Sequence, residues 1–397
     1  MPKKSTDLHG LPVVKVSRRG ANRLKEGHVW VYRSDIVSAD GIAPGALVGV
    51  ADEREKLLGT ALYSSASQIA IRMISRDAVK DLDGLLRKRI QEAIAYRERV
   101  VRDADAYRIV FSEADFLPGL IVDRYNDLLS LQVLTQAMDT EAVRQVIVSE
   151  LSDRLEPAAI AERVDPRVRE LEQLAARSSS LLQGEKKSTV FSMNGVRFHY
   201  EAFEGQKTGA FLDQRENYAA AARYARGDAL DVFCYHGGFA LHLAQHCSRV
   251  TGVDSSRPAL EVADRNAALN GREIEWIEAN AFDLLRDYAS AGQQYDTIVL
   301  DPPAFAKSKS NLETALRGYK ELNLRALKML RPGGMLVTCS CSYHVSPTDF
   351  TEVVTEASRD VHRNLRILES RTQAKDHPIL LTVPETAYLT CIVLTVS

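Results

Sequence analysis

The sequence predicts an α/β protein. Its C-terminal half reads as a doubly wound, mostly parallel sheet, preceded by a small β-barrel and an α+β middle segment. Three observations carry this. From Gln214 onward, strand-like and helix-like segments alternate. Up to about Ser75 only short apolar or alternating runs occur, broken by turns. Between these stretches the two patterns mix. A chain of 397 residues also exceeds one ordinary core, since domains settle near ~100–200 residues.

In the first segment, Ala46–Ala51, Leu57–Tyr63 and Gln68–Ile74 predict strands separated by charged or Ser-rich turns. Apolar residues at helical spacing predict a helix from Leu82 to about Arg102, which opens the middle segment. Strands follow at Tyr107–Phe111, Leu120–Asp123 and Leu128–Val133, then a helix at Thr140–Leu155 and a strand at Ala158–Val164. Asp165-Pro166 reads as a turn, and 167–187, charged and Ser-rich, as a connecting region. Strands at Thr189–Met193 and Val196–Ala202 lead into the alternating part. There the predicted pairs are Ala229–Phe233 with Gly238–His246, Arg249–Asp254 with Arg257–Asn270, Ile274–Ile277 with Phe282–Tyr288, and Thr297–Leu300 with Asn311–Leu330, before a last strand at Met335–Thr338. The expected division is 1–78, 79–203 and 204–397.

Hydrophobic residues make up 45% of the chain, enough to form real cores. No run of ~18 apolar residues is present to span a membrane, and Met1-Pro2-Lys3-Lys4-Ser5 lacks the apolar start of a secretion signal. The cysteines are Cys234, Cys247, Cys339, Cys341 and Cys391. An odd count without framework spacing points to a reducing, cytoplasmic setting. Net charge is −2, yet Met1 to Arg33 holds eight Lys/Arg (3, 4, 15, 18, 19, 23, 25, 33) against Asp7 and Glu26, a local +6. Such a cluster is either a phosphate-facing patch or a solvated terminus.

In doubly wound sheets, ligands bind outside the carboxyl ends of the strands. The first strand runs into Cys234-Tyr235-His236-Gly237-Gly238, where glycines let the backbone approach a ligand. The pattern is not G-x-G-x-x-G, which argues against a nicotinamide dinucleotide. Asp254 ends the second strand and can accept hydrogen bonds from ribose hydroxyls, or else cap the following helix. After the third strand, Asn280 and Ala281 stand where an adenine edge could be met; the alternative is a polar loop before a helix. The fourth strand ends in Asp301-Pro302-Pro303-Ala304-Phe305. This turn fixes backbone direction and aims carbonyls and a carboxylate into the crevice, an arrangement suited to holding a base ring beside a methyl sulfonium.

The fifth strand ends in Thr338-Cys339-Ser340-Cys341-Ser342. Cytosine C5 becomes nucleophilic once a thiolate has added to C6, so its methylation needs a cysteine beside a polar group that can hydrogen-bond N3. Cys341 and Asp301, at adjacent strand ends, match that need. A thiolate also needs nearby cations or a helix N-terminus, and Lys307, Lys309 and Lys320 lie in the right loop and helix. The alternative is that both cysteines are small buried hydrophobes. Two apart on a strand, Cys339 and Cys341 are expected to face the same way.

These residues give the chain a family resemblance. It resembles the bacterial large-subunit ribosomal RNA cytosine-C5 methyltransferases that carry an N-terminal PUA domain, over nearly its whole length. The matching stretches are Val16–Gly20, His28–Tyr32, Glu113–Tyr125, Glu204–Asn217, Asp301–Ser308, Gly318–Asn323 and the Cys-Ser-Cys-Ser run. The resemblance implies a PUA domain, an α+β middle domain and a Rossmann-like methyltransferase domain. It implies S-adenosyl-L-methionine as cofactor, large-subunit ribosomal RNA as partner, and homodimerisation. It places the nucleophile at Cys341 within Ser340-Cys341-Ser342, with Cys339 as a supporting thiol. It puts Phe211, Asp213 and Arg215 in the cofactor pocket with Tyr235, Gly237, Asp254, Asn280, Ala281, Asp301 and Pro302. Three positions depart from the family's common residues: His236 for Thr, Asn280 for Asp and Tyr218 for Arg. Two other readings stay open, namely methylation of a nitrogen on RNA, for which no thiol is needed, and an RNA-bound factor without catalysis.

Overall fold

The computed structural model describes residues 10–204, 209–306 and 309–397, apart from the side chain of Lys309. Lys3 and Lys4 of the basic run, 206–208 of the pocket block, and Lys307 lie outside the described residues. The chain forms two compact units. The first comprises 1–189, 200–209 and 375–386, and the second 190–199, 210–374 and 387–397.

The first unit begins with β1 (Val13–Val16), α1 (Arg18–Lys25), β2 (Trp30–Tyr32), β3 (Ile36–Ser38), β4 (Leu47–Asp52), β5 (Leu57–Tyr63) and β6 (Ile69–Ser75). The strands form one sheet in the order β2-β6-β5-β4-β1-β3, all antiparallel except the β1–β4 pair. The sequence pattern predicts only strands here, whereas the chain forms the helix α1 between β1 and β2. Ser17 caps it by accepting from the Gly20 N–H at 3.2 Å. Gly20 hides the helix from pattern reading, because it sits where a Cβ would press on Val31 at 3.1 Å. Val383, from the returning segment 375–386, joins this sheet's core.

The chain continues through α2 (Leu82–Val100), β7 (Ala106–Phe111), β8 (Leu120–Tyr125), β9 (Leu128–Val133), α3 (Glu141–Leu155), β10 (Ala159–Glu162), α4 (Pro166–Leu171) and β11 (Ser180–Gly184). A second sheet runs β11-β10-β9-β8-β7. Leu62 and Ile74 of β5 and β6 share its core with Leu86, Ile90 and Ile147. The expected connecting region thus holds a helix and a strand. Asp165-Pro166 is not a simple turn: the Asp165 carboxylate accepts from the N–H groups of Arg167 and Val168 and starts α4 with proline in its first turn.

The hairpin β12 (Ser188–Met193) and β13 (Val196–Glu201) contributes 190–199 to the second unit. The elements α5 (Arg215–Tyr224), β14 (Asp228–Val232), α6 (Gly238–Leu243), β15 (Arg249–Asp254), α7 (Arg257–Leu269), β16 (Glu275–Glu278), α8 (Ala281–Ser290), β17 (Tyr295–Leu300), α9 (Leu312–Met329), β18 (Leu330–Ser340), α10 (Pro347–Asp360), β19 (Leu365–Arg371) and β20 (Thr390–Val396) follow. The sheet order is β16-β15-β14-β17-β18-β20-β19. Strands β14 to β18 are parallel, while β20 runs antiparallel to both of its neighbours. From β14 the sheet departs in two directions, through β15 and through β17. That is the switch point where a doubly wound sheet leaves a crevice. No helix among the described residues is long and apolar enough to cross a membrane.

Candidate active site

The crevice is built first by the β14–α6 loop. Phe233 and Tyr235 both adopt left-handed backbone (φ 69° and 48°), a conformation that costs a non-glycine residue on the order of 1 kcal/mol or more. Gly237, at φ +83°, precedes α6, and a Cβ there would lie 3.0 Å from the Trp276 ring. At Gly238 an added Cβ would be 2.5 Å from the Tyr218 ring and hydroxyl. The two glycines are therefore required for close approach. Asp231, fully buried at the base of this loop, accepts from the Ala240 N–H at 2.8 Å through Oδ2, while its Oδ1 has no hydrogen-bond partner among the described residues. Burial, with repulsion from Asp301 and Asp254, pushes its carboxyl up to about 8.

Asp254 ends β15 and ties the loops together. Its Oδ2 accepts from Tyr235 N–H and its Oδ1 from Ser256 N–H, each at 2.9 Å, and its carbonyl accepts from Ala279 N–H at 3.1 Å. Ser256, not Asp254, caps α7. Asn280 is exposed and caps α8, its Oδ1 accepting from Phe282 N–H (2.9 Å) and Asp283 N–H (3.3 Å). Ala281 is buried as the first residue of that helix. Tyr235 stacks on His236 with ring centroids 3.7 Å apart and meets Phe211 edge-on at 5.0 Å. His236 is held neutral, its pKa lowered to about 4 by burial and by Arg265.

At the end of β17, Asp301 Oδ1 accepts from Gln214 Nε2 at 2.9 Å. Gln214 is oriented in turn. Its Oε1 accepts from Asn217 Nδ2 at 2.7 Å, and Asn217 Oδ1 accepts from Arg371 Nε at 2.8 Å. Because Arg371 is donor only, the relay fixes both amides so that Gln214 presents N–H to Asp301. Burial and the nearby Asp213 push Asp301 up to about 7. Asp213 itself accepts from the Tyr388 hydroxyl at 2.7 Å through Oδ2, and its Oδ1 has no partner among the described residues. Arg215 opens α5 with its side chain buried and 3.8 Å from Glu216.

Strand β18 ends at Ser340, so Cys339 lies within the strand and Cys341 beyond it, outside the reach of the alternation that would put both on one face. Cys339 lies inside the ladder, opposite Cys391 and fully buried, and its thiol is pushed well up by burial. Cys341 falls just beyond the strand and is partly exposed. Its Sγ is 3.7 Å from the Pro302 carbonyl oxygen. Lys320 is not aimed at the thiol: it pairs with Asp360 at 3.0 Å and Glu356 at 3.3 Å on α10. Sequence reasoning missed Gln214, Asn217, Arg371 and Asp231 as site residues. Gln214 and Asn217 lie within a block it singled out, but Arg371 joins them from more than 150 residues away.

The comparisons with known proteins decide the family. A model described as an S-adenosylmethionine-dependent methyltransferase matches residues 131–383, more than half of the chain. The chain belongs to this family. Its cofactor is S-adenosylmethionine. The crevice fits that cation: a buried carboxylate oxygen without a partner among the described residues, a glycine turn that a Cβ would obstruct, and a cluster of carboxyls. A PUA-like domain model matches residues 14–76. The methyltransferase is 38% identical over 388 residues to "Ribosomal RNA large subunit methyltransferase I" of Shewanella denitrificans, covering 95% of this chain and 97% of that one. It is 39% identical over 375 residues to the protein of the same name from Tolumonas auensis, covering 91% and 94%. Among solved structures it shares its fold with SMU.776, a putative methyltransferase complexed with SAH, at TM-score 0.84 and 18% identity over 97% of this chain and all of that one.

Proposed function

We propose that this methyltransferase transfers the methyl group of S-adenosylmethionine to C5 of a cytosine in large-subunit ribosomal RNA, through a transient bond from Cys341 Sγ to cytosine C6. The observation that carries the reading is the placement of the Cys341 sulfur 3.7 Å from Pro302 O, beside Asp301, at the ends of adjacent strands β17 and β18. The cofactor supplies a methyl group on a positively charged sulfur. Asp301, pushed up to about 7, holds a proton through part of the neutral range and can donate it to cytosine N3. The Cys341 thiolate bonds to C6, and the displaced electron pair makes C5 nucleophilic. C5 takes the methyl and N3 returns its proton to Asp301; a base then takes the C5 proton, whose bonding pair restores the C5–C6 double bond while the C6–S pair returns to sulfur.

On this reading Phe211 and Tyr235 wall the cofactor, Gly237 lets its backbone approach, and Asp254 takes the ribose. Asn280 and Ala281 face the adenine, Pro302 backs the target base, and Asp213 and Arg215 line the base of the pocket. The names of the relatives and the PUA-like segment support ribosomal RNA as substrate. So does an open depression lined by Arg18, Arg19, Asn22 and Arg23 of α1 and by Glu26 just after it, where phosphates would position RNA without reading its sequence. The sequence-level charge of that region is partly offset in the fold, because Asp35, Asp52, Glu55 and Glu385 pair with Arg19, Lys25, Lys15 and Arg23. We assign the three domains to 1–78, 79–203 and 204–397 along the chain, although 190–199 packs in the second compact unit and 375–386 in the first. The test is mass spectrometry of large-subunit rRNA after reaction with the wild-type protein and with Cys341→Ala. The wild type yields 5-methylcytosine and the variant does not. Full methyl transfer by the variant would move the reading to a ring or exocyclic nitrogen.

A further inference from the structure

Tyr319, on α9, is almost fully buried. Its Oη lies 3.0 Å from Ser340 Oγ and 2.9 Å from Ser342 Oγ, the two residues that flank Cys341. Ser342 Oγ also accepts from the Phe305 N–H at 2.9 Å and the Ala306 N–H at 3.2 Å, in the turn that follows Asp301. A serine oxygen has two lone pairs and one proton. The Ser340 hydroxyl donates to Tyr319 Oη, and the Tyr319 and Ser342 hydroxyls share one further hydrogen bond in which either can be the donor. One phenol oxygen therefore gathers both sides of Cys341 and, through Ser342, the turn that carries Asp301 and Pro302. The ring is fixed by Phe305 at 4.8 Å and edge-on by Phe350 at 5.2 Å. A phenylalanine would fill this space as well, so packing alone does not account for the hydroxyl.

We propose that Tyr319 is a positioning residue for Cys341: its hydroxyl holds Ser340 and Ser342 together and so sets the Cys341 sulfur against the Asp301-Pro302 turn. This rests on the reading of Cys341 as nucleophile. Displacement of a reacting atom by about 1 Å costs on the order of 100-fold in rate. Tyr319→Phe is therefore expected to slow attack by roughly 10- to 100-fold without touching the cofactor loops around Asp231 and Asp254.

The probe is a large-subunit rRNA transcript carrying 5-fluorocytidine, which traps the Cys341–C6 bond because fluorine cannot leave as a proton does. The rate of trapping is measured beside S-adenosylmethionine affinity and melting temperature. Slower trapping by Tyr319→Phe, with cofactor affinity and melting temperature close to wild type, supports the clamp. Trapping at the wild-type rate overturns it, as does slower trapping in step with weaker cofactor binding and a lower melting temperature, which is the mark of a merely structural residue. If Tyr319→Phe fails to fold, Ser342→Ala cuts the clamp at its other end and is expected to slow trapping likewise; wild-type trapping by it overturns the clamp. Formation of 5-methylcytosine by Cys341→Ala would instead overturn the parent reading, independently of Tyr319.

Discussion

Asp231 is the penultimate residue of β14 and Asp301 follows the last residue of its neighbour β17, and both carboxyls stand far above the ordinary 3.8, at about 8 and about 7. Burial is the main cause in each case, with repulsion among Asp231, Asp254, Asp301 and Asp213 added to it. A cation bound nearby favours the ionised forms and competes with the protons. S-Adenosylmethionine carries such a charge on its sulfur; S-adenosylhomocysteine does not. The affinity for the first should rise relative to the second as pH increases through 7 and 8. If the sulfonium lowers the Asp231 pKa by about one unit, the gain is about 1.4 kcal/mol, or tenfold. Calorimetry with both ligands at about pH 6 and about pH 8.5 reads this directly, and buffers of different ionisation enthalpy reveal the released proton. The same groups set the stability of the cofactor-free protein. Because their folded pKa values are raised, their contribution is complete below the ordinary 3.8 and is lost progressively as pH rises from there up to about 7 and about 8. The melting temperature should therefore fall over that window, and Asp231→Asn should flatten the fall. Equal pH slopes for the two ligands, or tighter sulfonium binding at low pH, would refute the reasoning.

Two substitutions test other parts of the site. Gly238→Ala places a methyl 2.5 Å from a Tyr218 ring that is itself packed against Phe239 and His242; overpacking of that kind costs about 1–3 kcal/mol, seen as a lowered melting temperature together with weaker cofactor binding. Cys339→Ala removes a thiol whose hydrogen bond lowers the Asp301 pKa; the pH profile of methyl transfer should shift upward while the RNA adduct still forms, and loss of the adduct would make Cys339 the nucleophile.

Much of the second unit was legible because parallel strands and amphipathic helices impose their periods directly on the sequence. Arg249–Asp254 has the bounds expected from its pattern, and Arg257–Leu269 differs by one residue. What stayed hidden had local reasons. Gly20 and four basic residues mask α1, whose buried face is Gly20, Ala21 and Leu24. In 167–187 charge conceals α4, which is held by a cap and by the Arg169–Asp139 ion pair at 3.0 Å more than by an apolar stripe. The polar support of the site was hidden for another reason. Asp301 and Cys341 announce themselves through turn and thiol chemistry, whereas Gln214, Asn217, Arg371 and Tyr319 matter only through partners brought near by folding.

The choice between the two thiols shows what the fold adds. In the sequence, Cys339 and Cys341 differ little: both sit in one polar run beside the same strand end. The difference arises from β20, which the alternating pattern does not announce and which runs antiparallel along β18. Its Cys391 stands directly opposite Cys339 and closes that side. Cys339 is left with no exposed surface, and burial drives its thiol away from the thiolate form. A nucleophile needs the opposite conditions, a surface that the target can reach and a route to ionisation. Where the pairing stops at Ser340, the chain turns and Cys341 emerges from the ladder, its sulfur against the Pro302 carbonyl and its neighbours held by Tyr319. Of the two thiols, only Cys341 meets the condition of access.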